Sequence, residues 1–275
     1  MRAIDKFWLF GVHPTHYDDQ YLGRYKDPNG KRSYGSNITP AEGAFYLGLN
    51  NMVMAVAPPP FTSAAEYLMF TFKPMNKILW AIGASGGLNK IDNEFIVSLS
   101  EKYDNVIGAS MDDFNAMFKD YPEPLKTKKI KEAIGTIKKD LSKAKKQLEL
   151  NAVLYFYEMK SVNPEAFSEL DGISFWTWDS NDLVNLEENF ENACRMFPNQ
   201  KKMLGVYLYD FRNYHPIPLD RMKHQCKTGL KLMKDGKVDG LIFEANSVMG
   251  AGFEGDEWLR NWIMEVAETE VPDLG

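Results

Sequence analysis

This chain of 275 residues contains few cysteines, no long apolar run and no excess of positive charge. Its two cysteines, Cys194 and Cys226, do not provide a disulfide framework. No apolar run reaches the roughly 20 residues of a membrane-spanning helix, so we expect no membrane association. A net charge of -6 argues against a surface that binds nucleic acid. The first residues lack the pattern of an export signal. We therefore expect a cytoplasmic protein, or an exported one whose signal is absent from this sequence.

A short apolar run occurs eight times, ending at intervals of 21 to 46 residues. Runs of this length, rich in β-branched and aromatic residues, are typical of buried strands. Amphipathic stretches separate them, and one strand and helix together take roughly 30 residues. The runs are FWLFGV, MVMAVA, ILWAIG, NVIGASM, AVLYFY, ISFWTW, MLGVYLY and GLIF. The pattern predicts an α/β fold, the (β/α)8 TIM barrel, formed by one domain over residues 1–275.

Alternation along the strands predicts which acidic side chains face the barrel interior. Met111 belongs to the apolar outward set of strand 4, so Asp112 is expected to point inward. In strand 8 the same argument places Glu244 inside. In strands 5 and 7, the same alternation places Glu158 and Asp210 on the outward face. They reach the interior only if those strands end before them. The loops after barrel strands form the active site, so we expect these carboxylates there.

Aromatic rings and polar side chains share these strand ends and the long loop after strand 1. Sugars present apolar C–H faces that stack on rings and hydroxyl groups that bind polar side chains. We therefore predict a carbohydrate ligand, without a cofactor, and the sequence leaves the oligomeric state open. The expected substrate-binding residues are His13, Tyr17, Tyr157, Trp176, Trp178, Asp179, Tyr207 and Tyr209.

Paired carboxylates are the reactive groups of glycoside hydrolysis, one as acid and the other as base or nucleophile. Repulsion within the adjacent pair Asp112 and Asp113 can keep one of them protonated at neutral pH. We predict that one of these two is a catalytic acid and rank its partner as Glu244, then Glu158 and Asp210. The alternative is structural: Asp113 caps the following segment and Asp112 makes hydrogen bonds within the fold.

The string GASMDDF resembles the end of strand 4 in hexosaminidase-type barrel glycosidases. That resemblance implies that Asp112 orients an acetamido group of the substrate and that Asp113 is the general acid. The acids on strands 4, 5 and 7 also resemble the layout of the alpha-amylase clan. That layout implies a nucleophile on strand 4, Glu158 as acid and Asp210 as stabiliser, although Ser110 stands where the clan has an arginine.

A longer resemblance covers roughly the last 100 residues, including GISFWTWDSNDLVNLEENF, LGVYLYDF and VDGLIFEANSV. These strings are similar to a group of bacterial barrel proteins described as glycoside-hydrolase-like. The resemblance implies the barrel fold and a carbohydrate-active enzyme, and it implies no particular mechanism.

Two other functions remain open at this point. A barrel that binds a glycan without cleaving it would have the same aromatic lining. A metal-dependent amidohydrolase would place two histidines after strand 1, as in His13 and His16, and Glu244 as a carboxylate ligand. Such a site also needs His or Lys ligands on strands 4, 5 and 6, which end here in acids, so we predict no metal. The glycine-rich stretches 83–87 and 250–252 fit either an anion cradle or plain turns.

Overall fold

A computed structural model describes residues 1–26, 35–82 and 92–274. Eight parallel strands close into a barrel, in which the last strand pairs with the first. They are β1 (Phe7–Val12), β2 (Asn51–Val56), β3 (Lys77–Ala81), β4 (Val106–Met111), β5 (Glu149–Tyr155), β6 (Gly172–Trp176), β7 (Lys201–Tyr207) and β10 (Gly240–Glu244). A separate antiparallel hairpin consists of β8 (Tyr209–Asp210) and β9 (His215–Pro216). The predicted (β/α)8 architecture is confirmed.

Helices connect most successive barrel strands. They are α1 (Pro40–Leu47), α2 (Phe61–Phe72), α3 (Asn93–Lys102), α4 (Leu125–Leu141), α5 (Leu186–Met196), α6 (Leu219–Lys234) and α7 (Glu254–Val266). Between β5 and β6 the chain forms two 3-10 helices, Phe156–Ser161 and Pro164–Phe167, instead of an α-helix. None of the helices in the described residues combines the length and apolarity needed to cross a bilayer. The glycine-rich stretch 83–87 lies outside the described residues.

A capping-box spacing occurs in the sequence near the start of two of these helices, and it marks the first residue correctly for α1 only. Thr39 caps α1 by accepting a hydrogen bond from the backbone N–H of Glu42, whose carboxylate accepts one from the N–H of Thr39. The same spacing at Ser63 and Glu66 also resembles a capping box, but α2 begins earlier, at Phe61. Ser63 therefore lies within the first turn of α2.

The outward faces of the strands pack against the helices as alternation predicts. Phe243 of β10 contacts Trp262 of α7, and Phe175 of β6 contacts Phe190 of α5. Glu244 is the last residue of β10 and pairs in register with Phe10 of β1 and Tyr207 of β7. These three side chains are therefore level with one another at the carboxyl end of the barrel, where barrel enzymes have their active sites.

Candidate active site

A cavity of about 460 Å³ opens at the carboxyl ends of the strands. This volume lies in the range of small-molecule sites, roughly 300–1,000 Å³. Its lining combines three carboxyl groups with aromatic rings from β1, β5, β6 and β7 and from the segments that follow these four strands. The residues are Phe10, His16, Tyr17, Gln20, Tyr21, Val56, Asp112, Asp113, Val153, Tyr155, Tyr157, Trp176, Trp178, Tyr207, Phe211 and Glu244.

The backbone turn at Asp113 brings two adjacent carboxyl groups into this cavity. On a continuing strand, Asp112 and Asp113 would point to opposite faces. The strand ends at Met111, and Asp113 adopts the left-handed conformation with φ 51° and ψ 20°. Aspartate tolerates this conformation better than most residues. Both side chains therefore line one cavity, and Tyr155 Oη donates a hydrogen bond of 2.8 Å to Asp113 Oδ1.

Glu244 enters the cavity from the opposite side of the barrel. Three strands separate β10 from β4 in either direction around the closed sheet. Tyr17 Oη donates a hydrogen bond of 2.5 Å to Glu244 Oε1. Within the described residues, Glu244 Oε2 is buried without a hydrogen-bond partner. Because a buried polar atom without a partner is costly, this oxygen is the natural contact for a polar ligand.

Burial makes ionisation of Asp112 and of Glu244 costly. It raises the pKa of Asp112 to about 8, and repulsion from Asp113 acts in the same direction. Burial also raises the pKa of Glu244 well above its usual range, although the hydrogen bond from Tyr17 opposes the rise. Repulsion from Asp112 and Asp113 raises it further. At neutral pH, Asp112 and Glu244 together therefore retain at least one proton.

Aromatic rings form the floor and one wall of the cavity. Trp176 and Tyr207, with ring centroids 4.9 Å apart, are almost fully buried and lie at the floor. Trp176 Nε1 donates a hydrogen bond to Ser174 Oγ, so its polar edge is satisfied within the barrel. Tyr157 and Trp178 lie at the rim, with ring centroids 5.9 Å apart. The structure thus brings these four predicted binding residues to the cavity.

The loop after β1 contributes a second wall. Tyr21 N–H donates to the carbonyl of Tyr17, a helix-like turn that places His16, Tyr17, Gln20 and Tyr21 on the cavity side. Burial, with repulsion from His13, lowers the pKa of His16 to about 4, so the ring is neutral at neutral pH. Gln20 was not predicted, and its spacing of four residues from His16 is the signal that could have revealed it.

Two predicted catalytic acids lie outside the cavity lining and hold loops in place. Glu158 accepts hydrogen bonds from Asn115 Nδ2 at 3.0 Å and from the N–H of Tyr155 at 3.2 Å. Asp210 is fully buried, and its carboxylate accepts backbone hydrogen bonds from Ser180, Arg212 and Asn213 and a side-chain hydrogen bond from Asn213. Burial alone would raise the pKa of Asp210, but hydrogen bonds from Ser180 and Asn213 lower it.

Three predicted binding residues also lie outside the lining. Tyr209, expected to bind the substrate, does not line the cavity because β7 ends at Tyr207 and the chain continues into the β8–β9 hairpin. Tyr209 Oη donates instead to the carbonyl of Tyr21. Asp179 caps the 3-10 helix Ser180–Asn185 by accepting from the N–H of Asn181. His13 contacts His16, with Nε2 and Nδ1 3.2 Å apart, and its other ring nitrogen contacts the carbonyl of Pro14.

The histidine and acidic side chains that could bind a metal ion do not converge on one site in the described residues. Over residues 1–26, 35–82 and 92–274, no cluster of three or more His, Cys, Asp or Glu side chains has a suitable arrangement. His13 and His16 contact each other, but the structure brings Glu244 to Tyr17 rather than to the pair. These residues therefore give no support to the amidohydrolase alternative.

A second cavity, of about 150 Å³, lies at the amino ends of the strands and is lined by residues such as Lys77, Asn151 and Gly172. In barrel enzymes this end contributes to stability, and chemistry takes place at the carboxyl ends. We therefore take the larger cavity as the candidate active site.

No protein-family model matches the chain, and no curated protein matches it in sequence. Solved structures do resemble it. A family 1 β-glucosidase from Thermotoga maritima has a TM-score of 0.59 at 8% identity, over 97% of this chain and 99% of that chain. YKL-39, solved in the presence of chitooligosaccharides, has a TM-score of 0.57 at 13% identity, over 96% and 100%. The GH99 endo-α-mannosidase from Bacteroides thetaiotaomicron has a TM-score of 0.56 at 11% identity, over 95% and 97%. At these identities the likeness establishes the fold alone.

Proposed function

We propose that this protein is a glycoside hydrolase whose active site is the cavity that contains Asp112, Asp113 and Glu244. The observation that carries the proposal is the convergence of these three carboxyl groups, from opposite sides of the barrel, in a cavity walled by aromatic rings. Glycoside hydrolysis requires carboxyl groups on both sides of the bond that is cleaved. The barrels of similar shape include a β-glucosidase and an endo-α-mannosidase, which supports a carbohydrate substrate.

In this proposal Glu244 is the general acid. Burial raises its pKa, so the side chain retains a proton that the leaving oxygen of the sugar requires. Tyr17 fixes Oε1, which leaves the unpartnered Oε2 to face the substrate. Tyr17 is thus a positioning residue for Glu244, a different role from the direct sugar contact predicted from the sequence.

Asp113 is then the base or the nucleophile on the opposite side of the bond. Its Oδ1 accepts the hydrogen bond from Tyr155, which orients the carboxylate, and its other oxygen remains for water or for the anomeric carbon. Asp112, whose pKa is raised to about 8, is neutral at pH 7 and can donate a hydrogen bond to a sugar hydroxyl. These roles differ from the hexosaminidase resemblance, in which Asp113 is the general acid, and from the sequence prediction that the catalytic acid is Asp112 or Asp113 with Glu244 as its partner.

Leaving groups of different basicity test these roles. We expect Glu244→Gln to lower kcat/KM on methyl glycosides by about 10²–10⁴-fold and to retain most activity on 2,4-dinitrophenyl glycosides, whose leaving group needs no proton. Asp113→Asn should lose activity on both. Asp179→Asn, a matched change outside the cavity, should behave like the unchanged protein.

A panel of α- and β-linked glycosides, with polysaccharides added, supplies the substrates for this comparison. If the unchanged protein cleaves none of them but binds some, the site is a glycan-binding site and the hydrolase proposal is wrong. Cleavage that survives both Glu244→Gln and Asp113→Asn would likewise place the chemistry elsewhere.

A further inference from the structure

We infer that Tyr157 and Trp178 form a second sugar subsite at the rim, so that the substrate is an oligosaccharide extending outward from the cavity over these rings. The inference rests on the proposed function and adds to it the class of substrate. It predicts a length dependence that a site for single sugars would lack.

The geometry of the rim supports a stacking surface. The rings of Tyr155 and Tyr157 are nearly parallel, at 11°, with centroids 5.4 Å apart. Trp178 lies beside both tyrosines, with centroids 5.9 Å from each, at 28° to Tyr157 and 36° to Tyr155. Sugars bind such surfaces through their apolar C–H faces. The three rings thus form one cluster at the cavity mouth, with centroids 5.4–5.9 Å apart, and Tyr157 is its exposed member.

Exposure distinguishes Tyr157 from the floor of the cavity. Tyr157 is 59% exposed, whereas Trp176 is 1% and Tyr207 is 5% exposed. The floor rings pack on each other and on Phe10 of β1. A sugar chain in the cavity therefore cannot extend past the floor, and its continuation must leave through the mouth.

The position of Asp113 connects the rim rings to the proposed chemistry. Tyr155 donates its hydroxyl to Asp113 and stacks on Tyr157 with the same ring. The proposed reacting carboxylate is therefore one residue away from the stacking surface. A sugar held over Tyr157 would be linked to the sugar beside Asp113, which is the arrangement that cleavage between two units needs.

Binding as a function of chain length tests this inference without turnover. Isothermal titration of the Glu244→Gln variant would use cello-, manno- and chito-oligosaccharides of one to four units. We expect affinity to rise roughly 3- to 10-fold between the single sugar and the longer chains in one of these series. Tyr157→Ala and Trp178→Ala should each reduce that rise and leave single-sugar binding within about twofold.

Two further variants separate stacking from a loss of fold. Tyr157→Phe retains the ring and should retain the length dependence. Tyr67→Ala removes a ring that is 75% exposed on α2, which lies outside the cavity lining, and should change nothing. Affinity that does not rise with length, or that rises equally in Tyr157→Ala, would overturn the subsite.

The two proposals fail in different ways. Cleavage of glycosides without any length dependence overturns the rim subsite and leaves the hydrolase proposal standing. Length-dependent binding that requires Tyr157, without turnover by the unchanged protein, supports the subsite and refutes the hydrolase. An absence of both binding and turnover refutes both.

Discussion

Replacing Asp112 by asparagine is expected to stabilise the protein while impairing its activity. Asp112 has a pKa raised from 3.8 to about 8 by burial and by repulsion from Asp113. The folded protein therefore holds this proton more tightly than the unfolded chain, and its stability falls as the pH rises from about 4 to 8. Asparagine does not titrate, so the free energy of unfolding of the variant does not fall in this way. A stabilising change with a functional cost is typical of active-site residues.

The magnitude follows from the shift in pKa. Over the interval from the unfolded pKa of 3.8 to pH 7, the raised pKa lowers the free energy of unfolding by about 4 kcal/mol. The side chain of Asp112 keeps partial contact with water at the cavity mouth, so we expect about half of this, roughly 2 kcal/mol.

Urea titration at two pH values measures this difference. At pH 7 the variant should have the higher free energy of unfolding, and the difference should shrink toward zero near pH 4. A variant that is equally or less stable at pH 7 would refute the reasoning. That result would assign Asp112 to structural hydrogen bonding, the alternative raised from the sequence.

Two further substitutions have distinct expected effects. Asp210→Asn should lower the free energy of unfolding by about 2–4 kcal/mol, because an amide cannot accept all four hydrogen bonds that the carboxylate receives. Unchanged stability in urea titration would contradict this structural role. Tyr17→Phe removes the donor to Glu244 and should lower kcat/KM about tenfold and move its alkaline limb to higher pH, because that hydrogen bond lowers the pKa of Glu244. An unmoved limb would show that Tyr17 does not position Glu244.

The fold follows from the sequence because strand periodicity and spacing are local signals. The eight apolar runs all become barrel strands, and alternation correctly placed Asp112 and Glu244 in the cavity. Both residues lie at or directly after a strand end, where the alternation of the strand still applies. Closure of the sheet then brings them to the same end of the barrel.

The positions of the other candidate site residues depend on where each strand ends and on the conformation of the segment that follows it. Glu158 and Tyr209 lie beyond the regular pleat, in a 3-10 helix and in a hairpin, so parity does not determine their direction. Alternation along β4 would direct Asp113 away from the cavity. The left-handed turn at Asp113 instead brings its carboxyl group into the cavity. The hydrogen bond from Tyr17 to Glu244 spans 227 residues, and no local pattern indicates it.

The central claim is that buried carboxyl groups hold a reactive proton at neutral pH. The pH dependence of kcat/KM tests this claim most directly. On the best methyl glycoside, activity should decline on an alkaline limb near or above pH 8, where the pair Asp112 and Glu244 loses its proton. Glu244→Gln should remove that limb together with the activity, and Asp179→Asn should preserve both. An activity that stays constant to pH 10, or that survives in Glu244→Gln with an unchanged profile, would contradict the account.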